Sequence, residues 1–483
     1  MIISGITVVH LLLILLPPVN FEFAFVDAAR YFSSHDQVLL DQYFTYQANT
    51  LGMPYLAWIL SEILPAMNML SVIRLLSVAG IVLFGYGILN ICRHMGRQDN
   101  AIILLLILLN PLVWIFSARG TADFLPAAVG VFAISLALGA NPTRLRTLVS
   151  GILLGFAAIL KYHALCLSVF LIALLWSRRQ ERWVLLSSFA VIAIAIAAVA
   201  AYMITAHAHF GFWVTPPKFQ SVHHVAMAGI ISNFISYAGF LVILSGPLSL
   251  VVPEARQYLV KFWKFLLPVL IFLFLAGMSM LQTNGEMNFG PLDRWISKRM
   301  ASGIFLLLGL GLLSPILLQF SERDQTGKLK KCLGLAVILT LLVFSLSRPA
   351  QRYLLLVLPF FVLALPIGAF RLRSIFIGTI ALYIAINAFI SYSQWCTGTA
   401  AEQMAAAIER AGLLEASKAG AIKAHVGNRF YQAKPKNLLY VVVPGNNPRA
   451  IITSKSGLSF AQTSFSLVSI AKDGNPVKID APE

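Results

Sequence analysis

Seven ionisable side chains stand at or near the ends of apolar runs: Asp27, Arg74, Arg119, Asp123, Lys161, Arg348 and Arg352. Holding a charge at membrane depth is expensive, so charges gathered at one level of such a chain mark a site. The five cations suit a phosphate. Guanidinium forks pair with phosphate oxygens two at a time, and a lysine adds a compact charge. Asp27 reads as the isolated carboxylate of the aromatic-rich run NFEFAFVDAARYF. One carboxylate facing several cations is what a general base needs beside an anionic leaving group. A lone Arg or Lys at a span end is accounted for by a stem snorkelling toward lipid headgroups; five at one face ask for more. Asp123 is the rival carboxylate. It follows Arg119 closely and reads as half of a structural ion pair within its own hairpin. Asp36 and Asp41 lie further along among polar residues, where solvation explains them.

The elements that must position these groups are apolar helices. Apolar residues make up 59% of the 483-residue chain and charged residues 11%, against roughly 25% charged in soluble domains. The mean hydropathy is +0.82. The spacing predicts about 13 transmembrane helices, at about 4–19, 69–89, 101–117, 122–140, 147–160, 163–176, 184–204, 228–252, 265–281, 300–320, 332–347, 354–370 and 375–391. The first run, Ile2 to Val19, has neither a basic n-region nor a clear small-residue cleavage site, and reads as a retained span. The formal net charge of +17 does not point to nucleic acid. Its Lys and Arg fall in short clusters between apolar runs, as orientation in a bilayer requires.

Those clusters orient the chain. One set of loops carries 16 basic residues: Arg93, Arg97, Arg144, Arg146, Arg178, Arg179, Arg182, Arg256, Lys261, Lys264, Arg323, Lys328, Lys330, Lys331, Arg371 and Arg373. The opposite set carries 9: Arg30, Arg119, Lys161, Lys218, Arg294, Lys298, Arg299, Arg348 and Arg352. The richer set is expected in the cytoplasm, which places the N-terminus inside and both the loop 20–68 and the tail outside. The chain thus divides into a transmembrane unit, 1–395, and an outer unit, 396–483. In the tail, 400–419 reads as a helix. Leu438–Val443 and Ala450–Thr453 read as strands separated by PGNNP, which makes a small α/β domain.

Several runs resemble the GT-C glycosyltransferases, in the branch containing the lipid A aminoarabinose transferase and, more distantly, the protein O-mannosyltransferases. Asp27-Ala-Ala-Arg30-Tyr31 is similar to that family's Asp-Glu-x-Arg-Tyr signature in the first outer loop. Gly52-Met-Pro54-Tyr-Leu-Ala-Trp58 resembles its Lys-Pro-Pro-Leu-x-Tyr-Trp segment, and Arg74-Leu-Leu-Ser77 its Arg-x-x-Ser. Arg119-Gly-Thr-Ala-Asp123 resembles a short outer loop with an Asp, and Gly155 with Lys161 a Gly-rich span ending in Lys. Arg352-Tyr353 followed by Pro359 resembles a late Arg/Tyr…Pro segment. The order holds over about 1–360. Two positions depart from the pattern: Ala28 replaces a Glu, and Gly52-Met53 replaces a Lys-Pro.

The resemblance implies a bacterial inner-membrane enzyme that transfers a sugar from a polyprenyl-phosphate donor to an envelope acceptor with inversion. The acceptor would be lipid A or another lipopolysaccharide part, a further glycan, or protein. Asp27 would be the base. Arg74, Arg119, Lys161, Arg348 and Arg352 would hold the donor phosphate, with Arg30, Tyr31, Asp123 and Tyr353 in support. Two other polytopic classes stay open. A lipid-linked-sugar transporter would be expected to carry an internal repeat, and none is legible here. An O-antigen polymerase or ligase would carry its largest outer loop late, whereas here the acid-bearing loop comes early.

Cys92, Cys166, Cys332 and Cys396 form no CxxC pair, and only Cys396 falls outside, so no disulfide is expected. His207, His209, His223 and His224 read as solvated loop residues, since a zinc site needs more converging ligands. Glu286 and Asp293 lie in a polar outer stretch, 284–295, with a bland reading as an ordered loop. Trp213, Trp295 and Trp395 suit an interfacial aromatic belt. The residues call for no cofactor and no metal, with a divalent ion left open.

Overall fold

A computed structural model describes residues 1–18, 22–46, 50–97, 99–138, 143–176, 182–217, 227–245, 299–308, 325–347, 350–364, 373–411, 422–426, 429–431, 440–444, 450–457 and 463–469. The run expected at 265–281, the stretch 284–295, His223, His224 and Arg348 lie outside these residues.

The first eleven helices are α1 (Ile2–Leu13), α2 (Glu22–Ser34), α3 (Gln37–Tyr46), α4 (Gly52–Ile63), α5 (Met69–His94), α6 (Asn100–Leu108), α7 (Pro111–Ser117), α8 (Phe124–Ala137), α9 (Arg144–Leu160), α10 (Leu167–Trp176) and α11 (Arg182–Phe210). Beyond them come helices Met227–Ser245, Gln325–Ser345, Leu358–Ala364 and Arg373–Arg410, with a further apolar helix at Arg299–Leu308. Among the described residues, three helical segments are long and apolar enough to cross a membrane: Met69–His94, Leu186–Phe210 and Ile377–Arg410. Asn100–Leu108 and Pro111–Ser117 add a fourth if counted as one broken span.

That broken pair corrects the straight span expected at 101–117. The two helices bend by 62°. Pro111 offers no N–H to the preceding turn, and the Asn110 side chain accepts from Leu112 N at 3.1 Å, capping a new helix. A second break ends α9. Lys161 takes an extended conformation as its C-cap, and the 3-10 turn Tyr162–Cys166 begins behind it.

Among its described residues, the segment 20–68 read as the first outer loop contains three helices, α2, α3 and α4. In α2 the residues from Glu22 through Ala29 are all buried. The segment also rests on the far end of α9. Tyr43 Oη donates to Thr50 O at 2.8 Å, Thr50 Oγ1 donates to Ile159 O, and Tyr202 Oη accepts from Leu51 N at 2.8 Å. Gly52 follows. A Cβ there would collide with the Ile159 carbonyl, so the start of α4 can approach α9 this closely only without a side chain. Asp36 is exposed and accepts from Val38 N at 2.9 Å at the start of α3.

The C-terminal sheet has five strands in the order β2-β1-β3-β5-β4: β1 Ile422–Val426, β2 Arg429–Tyr431, β3 Tyr440–Pro444, β4 Ala450–Ser456 and β5 Thr463–Ser469. Helix Arg373–Arg410 is continuous over 38 residues, so the boundary read at 395 falls inside a helix. Its last turns bury Ala400, Ala401, Met404 and Ile408, and Ser454 Oγ of β4 donates to Ala400 O at 2.7 Å. All four cysteines are free.

Candidate active site

Asp27 sits on the buried face of α2 at 8% exposure. Arg30, one turn on, lies 3.6 Å from its Oδ1 with a largely exposed guanidinium. Burial pushes the Asp27 carboxyl up to about 6, with Arg30 pulling the other way. A carboxylate in that range stays ionised at neutral pH and binds a proton more readily than an ordinary aspartate, as a general base should. Tyr31 is half-buried, with its ring 6.2 Å from that of Phe210.

Asp27 is not the isolated carboxylate of its run. Glu22, five residues earlier on the same helix, is fully buried. Its Oε1 accepts from Arg74 Nε at 2.8 Å and from Gly120 N at 2.6 Å, and its Oε2 from Arg74 Nη2 at 2.6 Å. Arg74 Nη1 donates to Ile14 O and Leu16 O, and Nη2 also to Pro17 O. A guanidinium has five N–H groups, and these contacts use all of them. Arg74 therefore has no donor left for a phosphate, which corrects its place among the phosphate ligands. It ties α5 to the α1–α2 connection.

Asp123 likewise departs from expectation. Its partner is not Arg119. Its Oδ1 pairs with Lys161 Nζ and lies 3.7 Å from Arg352 Nε. The side chains of Asp123 and Lys161 are almost fully enclosed. Tyr353 closes the cluster, with its ring 4.8 Å from Lys161 Nζ and stacked on His163 at 4.0 Å. His163 is buried, and its Nδ1 meets no hydrogen-bond partner among the described residues. A carboxylate clamped between two cations is a poor base, so the geometry favours Asp27 over Asp123 for proton abstraction.

Arg119 lies between the two groups. Its carbonyl accepts from Ser77 Oγ at 2.7 Å, and its guanidinium carbon is 5.7 Å from the Phe116 ring centroid. Its side-chain partner is a neutral amide. The Gln394 oxygen accepts from Nε at 3.2 Å and Nη2 at 2.8 Å in the orientation that satisfies both groups. The loop joining α7 to α8 is thus pinned at Arg119 by Ser77, at Gly120 by Glu22 and at Asp123 by Lys161. Because Glu22 opens α2, the same loop fixes the helix that carries Asp27. Five residues of helix place Asp27 about 7.5 Å along the axis from that anchor.

The structure therefore brings Lys161, Arg352, Asp123 and Tyr353 together, with Arg119 adjacent through the pinned loop. Asp27 stands apart with Arg30. Sequence reasoning missed Glu22, His163 and Gln394, and named Ser77 only as part of the Arg-x-x-Ser run, without its bond to the Arg119 carbonyl. Glu22 carried a signal: it is the second carboxylate in NFEFAFVDAARYF, and buried acids need a cation. Gln394 carried none, because a neutral side chain acquires meaning only through its partners. His207 stacks on Trp213 at 4.2 Å, beside a cavity of about 520 Å³ lined also by Phe212 and Pro217. Among the described residues no group of three or more His, Cys, Asp or Glu could hold a metal ion.

With a base near 6, a pH profile follows. Any reaction that uses Asp27 as its base should be level above about pH 7 and fall about tenfold per unit below pH 6, as Asp27 takes up its proton. Initial rates between pH 4.5 and 8 check this. A profile still flat at pH 5 would remove Asp27 from the role.

No protein-family model matches the chain, and no curated protein matches it. Among solved structures, the crystal structure of ArnT from Cupriavidus metallidurans in the apo state is similar at 11% identity with a TM-score of 0.41, covering 96% of this chain and 97% of that one. The same protein bound to undecaprenyl phosphate is similar at 12% identity with a TM-score of 0.42, over the same shares.

Proposed function

We propose that the chain is a membrane glycosyltransferase that moves a sugar from a polyprenyl-phosphate donor to an envelope glycolipid, glycan or protein at the outer face of a bacterial inner membrane. The N-terminus faces the cytoplasm, and the end of helix Arg373–Arg410 with the sheet that follows it lies on the extracytoplasmic side. The observation that carries the reading is a buried carboxylate held near pKa 6 on a helix anchored by Glu22 to the loop that bears Arg119 and Asp123. Asp27 accepts the proton of an acceptor hydroxyl. The oxygen attacks the anomeric carbon as the bond from that carbon to the phosphate oxygen breaks, and polyprenyl phosphate departs with the electron pair. Arg119, Lys161 and Arg352 stabilise the departing charge, with Arg348 assigned beside them from sequence. Arg30 steadies the ionised Asp27, Asp123 holds Lys161 and Arg352 in place, and Tyr353 backs Lys161. A single carboxylate suffices because the leaving group is already an anion, unlike a glycoside, which needs an acid as well.

Mass spectrometry of envelope lipids and glycans from a deletion strain tests this reading and identifies the acceptor. The expected result is the loss of one glycosyl increment from one envelope component, restored by the wild-type chain and not by Asp27→Asn. An unchanged envelope with accumulation of a lipid-linked sugar on the cytoplasmic side would instead indicate a transporter.

A further inference from the structure

Two of the buried or half-buried arginines at this level, Arg74 and Arg119, are held in different ways. Arg74 is given a carboxylate, Glu22, and three backbone carbonyls, which cancel its charge and occupy its donors. Arg119 is given an amide oxygen, which engages Nε and Nη2 along one edge. A neutral acceptor fixes the direction of a guanidinium without neutralising it, and the remaining N–H groups keep their charge-assisted strength for an anion.

The amide comes from a particular place. Gln394 lies on helix Arg373–Arg410, between two sets of anchors. Toward the apolar helices, Asn387 Nδ2 donates to Leu109 O at 2.8 Å and Ser391 Oγ accepts from Trp114 Nε1 at 3.0 Å. Toward the sheet, Ala400 O accepts from Ser454 Oγ at 2.7 Å. The helix cannot slide or turn at Gln394 without breaking one of them.

We propose that Gln394 is a positioning residue for Arg119, and that the helix carrying the C-terminal sheet thereby completes the phosphate pocket. This rests on the reading of that pocket given above. Gln394 orients the Arg119 guanidinium toward the lipid phosphate while leaving its charge intact.

Binding of farnesyl phosphate to the purified full-length protein tests this, with farnesol as the phosphate-free control. Gln394→Met keeps the side-chain volume and removes the hydrogen bonds; it should weaken farnesyl phosphate binding roughly 5- to 20-fold, within the range of lost bonds to a charged group, and leave farnesol binding unmoved. Gln394→Glu keeps the shape and should pair with Arg119 as Glu22 does with Arg74, lowering phosphate affinity at least as far as Arg119→Ala. The double variant Arg119→Ala/Gln394→Met should bind no worse than Arg119→Ala alone. The proposal is overturned if both Gln394 variants bind farnesyl phosphate like the wild type while Arg119→Ala does not. It is overturned equally if they lose farnesol and farnesyl phosphate together, which would mark a packing role. Should the wild type bind farnesol as tightly as farnesyl phosphate, the phosphate pocket itself is wrong.

Discussion

Asp27→Asn is expected to fold, to bind the lipid phosphate, and to transfer sugar about 10²–10⁴-fold more slowly, the usual contribution of a positioned base. The substitution keeps the size of the side chain and removes only the negative charge. Removing it should not unsettle the fold. Burial already disfavours the ionised form, the countercharge acting on it among the described residues is the exposed Arg30, and exposed ion pairs contribute little. The informative control is Asp123→Asn. That change leaves Lys161 and Arg352 without the carboxylate they share, and breaking a buried pair typically costs about 3–5 kcal/mol. It should therefore show first as lost stability. A stable, inactive Asp123→Asn beside an active Asp27→Asn would move the base to Asp123.

Glu22→Ala should give the largest stability loss at the site. Arg74 would be left almost fully enclosed without its carboxylate, and Gly120 N–H without its acceptor. Removing one partner of such a pair costs on the order of 3–5 kcal/mol, with a further penalty for the orphaned amide. Thermal unfolding in detergent should show a large fall in midpoint. The folded fraction should also transfer more slowly, because Glu22 anchors the helix that carries Asp27 to the loop bearing Arg119. A variant of normal stability with lost donor affinity would return Glu22 and Arg74 to the binding site, against the hydrogen bonding described here.

What could be read from the sequence was what rests on local spacing. Asp27 and Arg30, three residues apart, fall on one helix face as any such pair does. The run Ala450–Thr453 falls within a strand because β-branched residues suit a pleated surface. The pairs that define the site escaped. Glu22 and Arg74, and Asp123 and Lys161, are brought together by helix packing, and nothing local specifies which cation a buried acid will find. Arg119 was matched with Asp123 because it was nearest in sequence; the fold gave each a different partner. Two misses were legible. Asn110-Pro111 is a cap followed by a residue without an N–H, which breaks a helix. Phe465 and Leu467, buried on one face of β5, alternate with polar residues at the strand period. The helix Arg373–Arg410 runs unbroken through residue 395, past the end expected for the last span at 391, because no proline stands there to end it.

The most direct measurement is release of polyprenyl phosphate from a purified polyprenyl-phosphate sugar by the reconstituted wild-type protein, with Asp27→Asn run beside it and product detected by mass spectrometry. The account predicts acceptor-dependent release by the wild type, its collapse in the Asp27 variant, and undiminished binding of the lipid phosphate by both. Equal release by the two proteins, or transport of the intact lipid-linked sugar with no release, would contradict it.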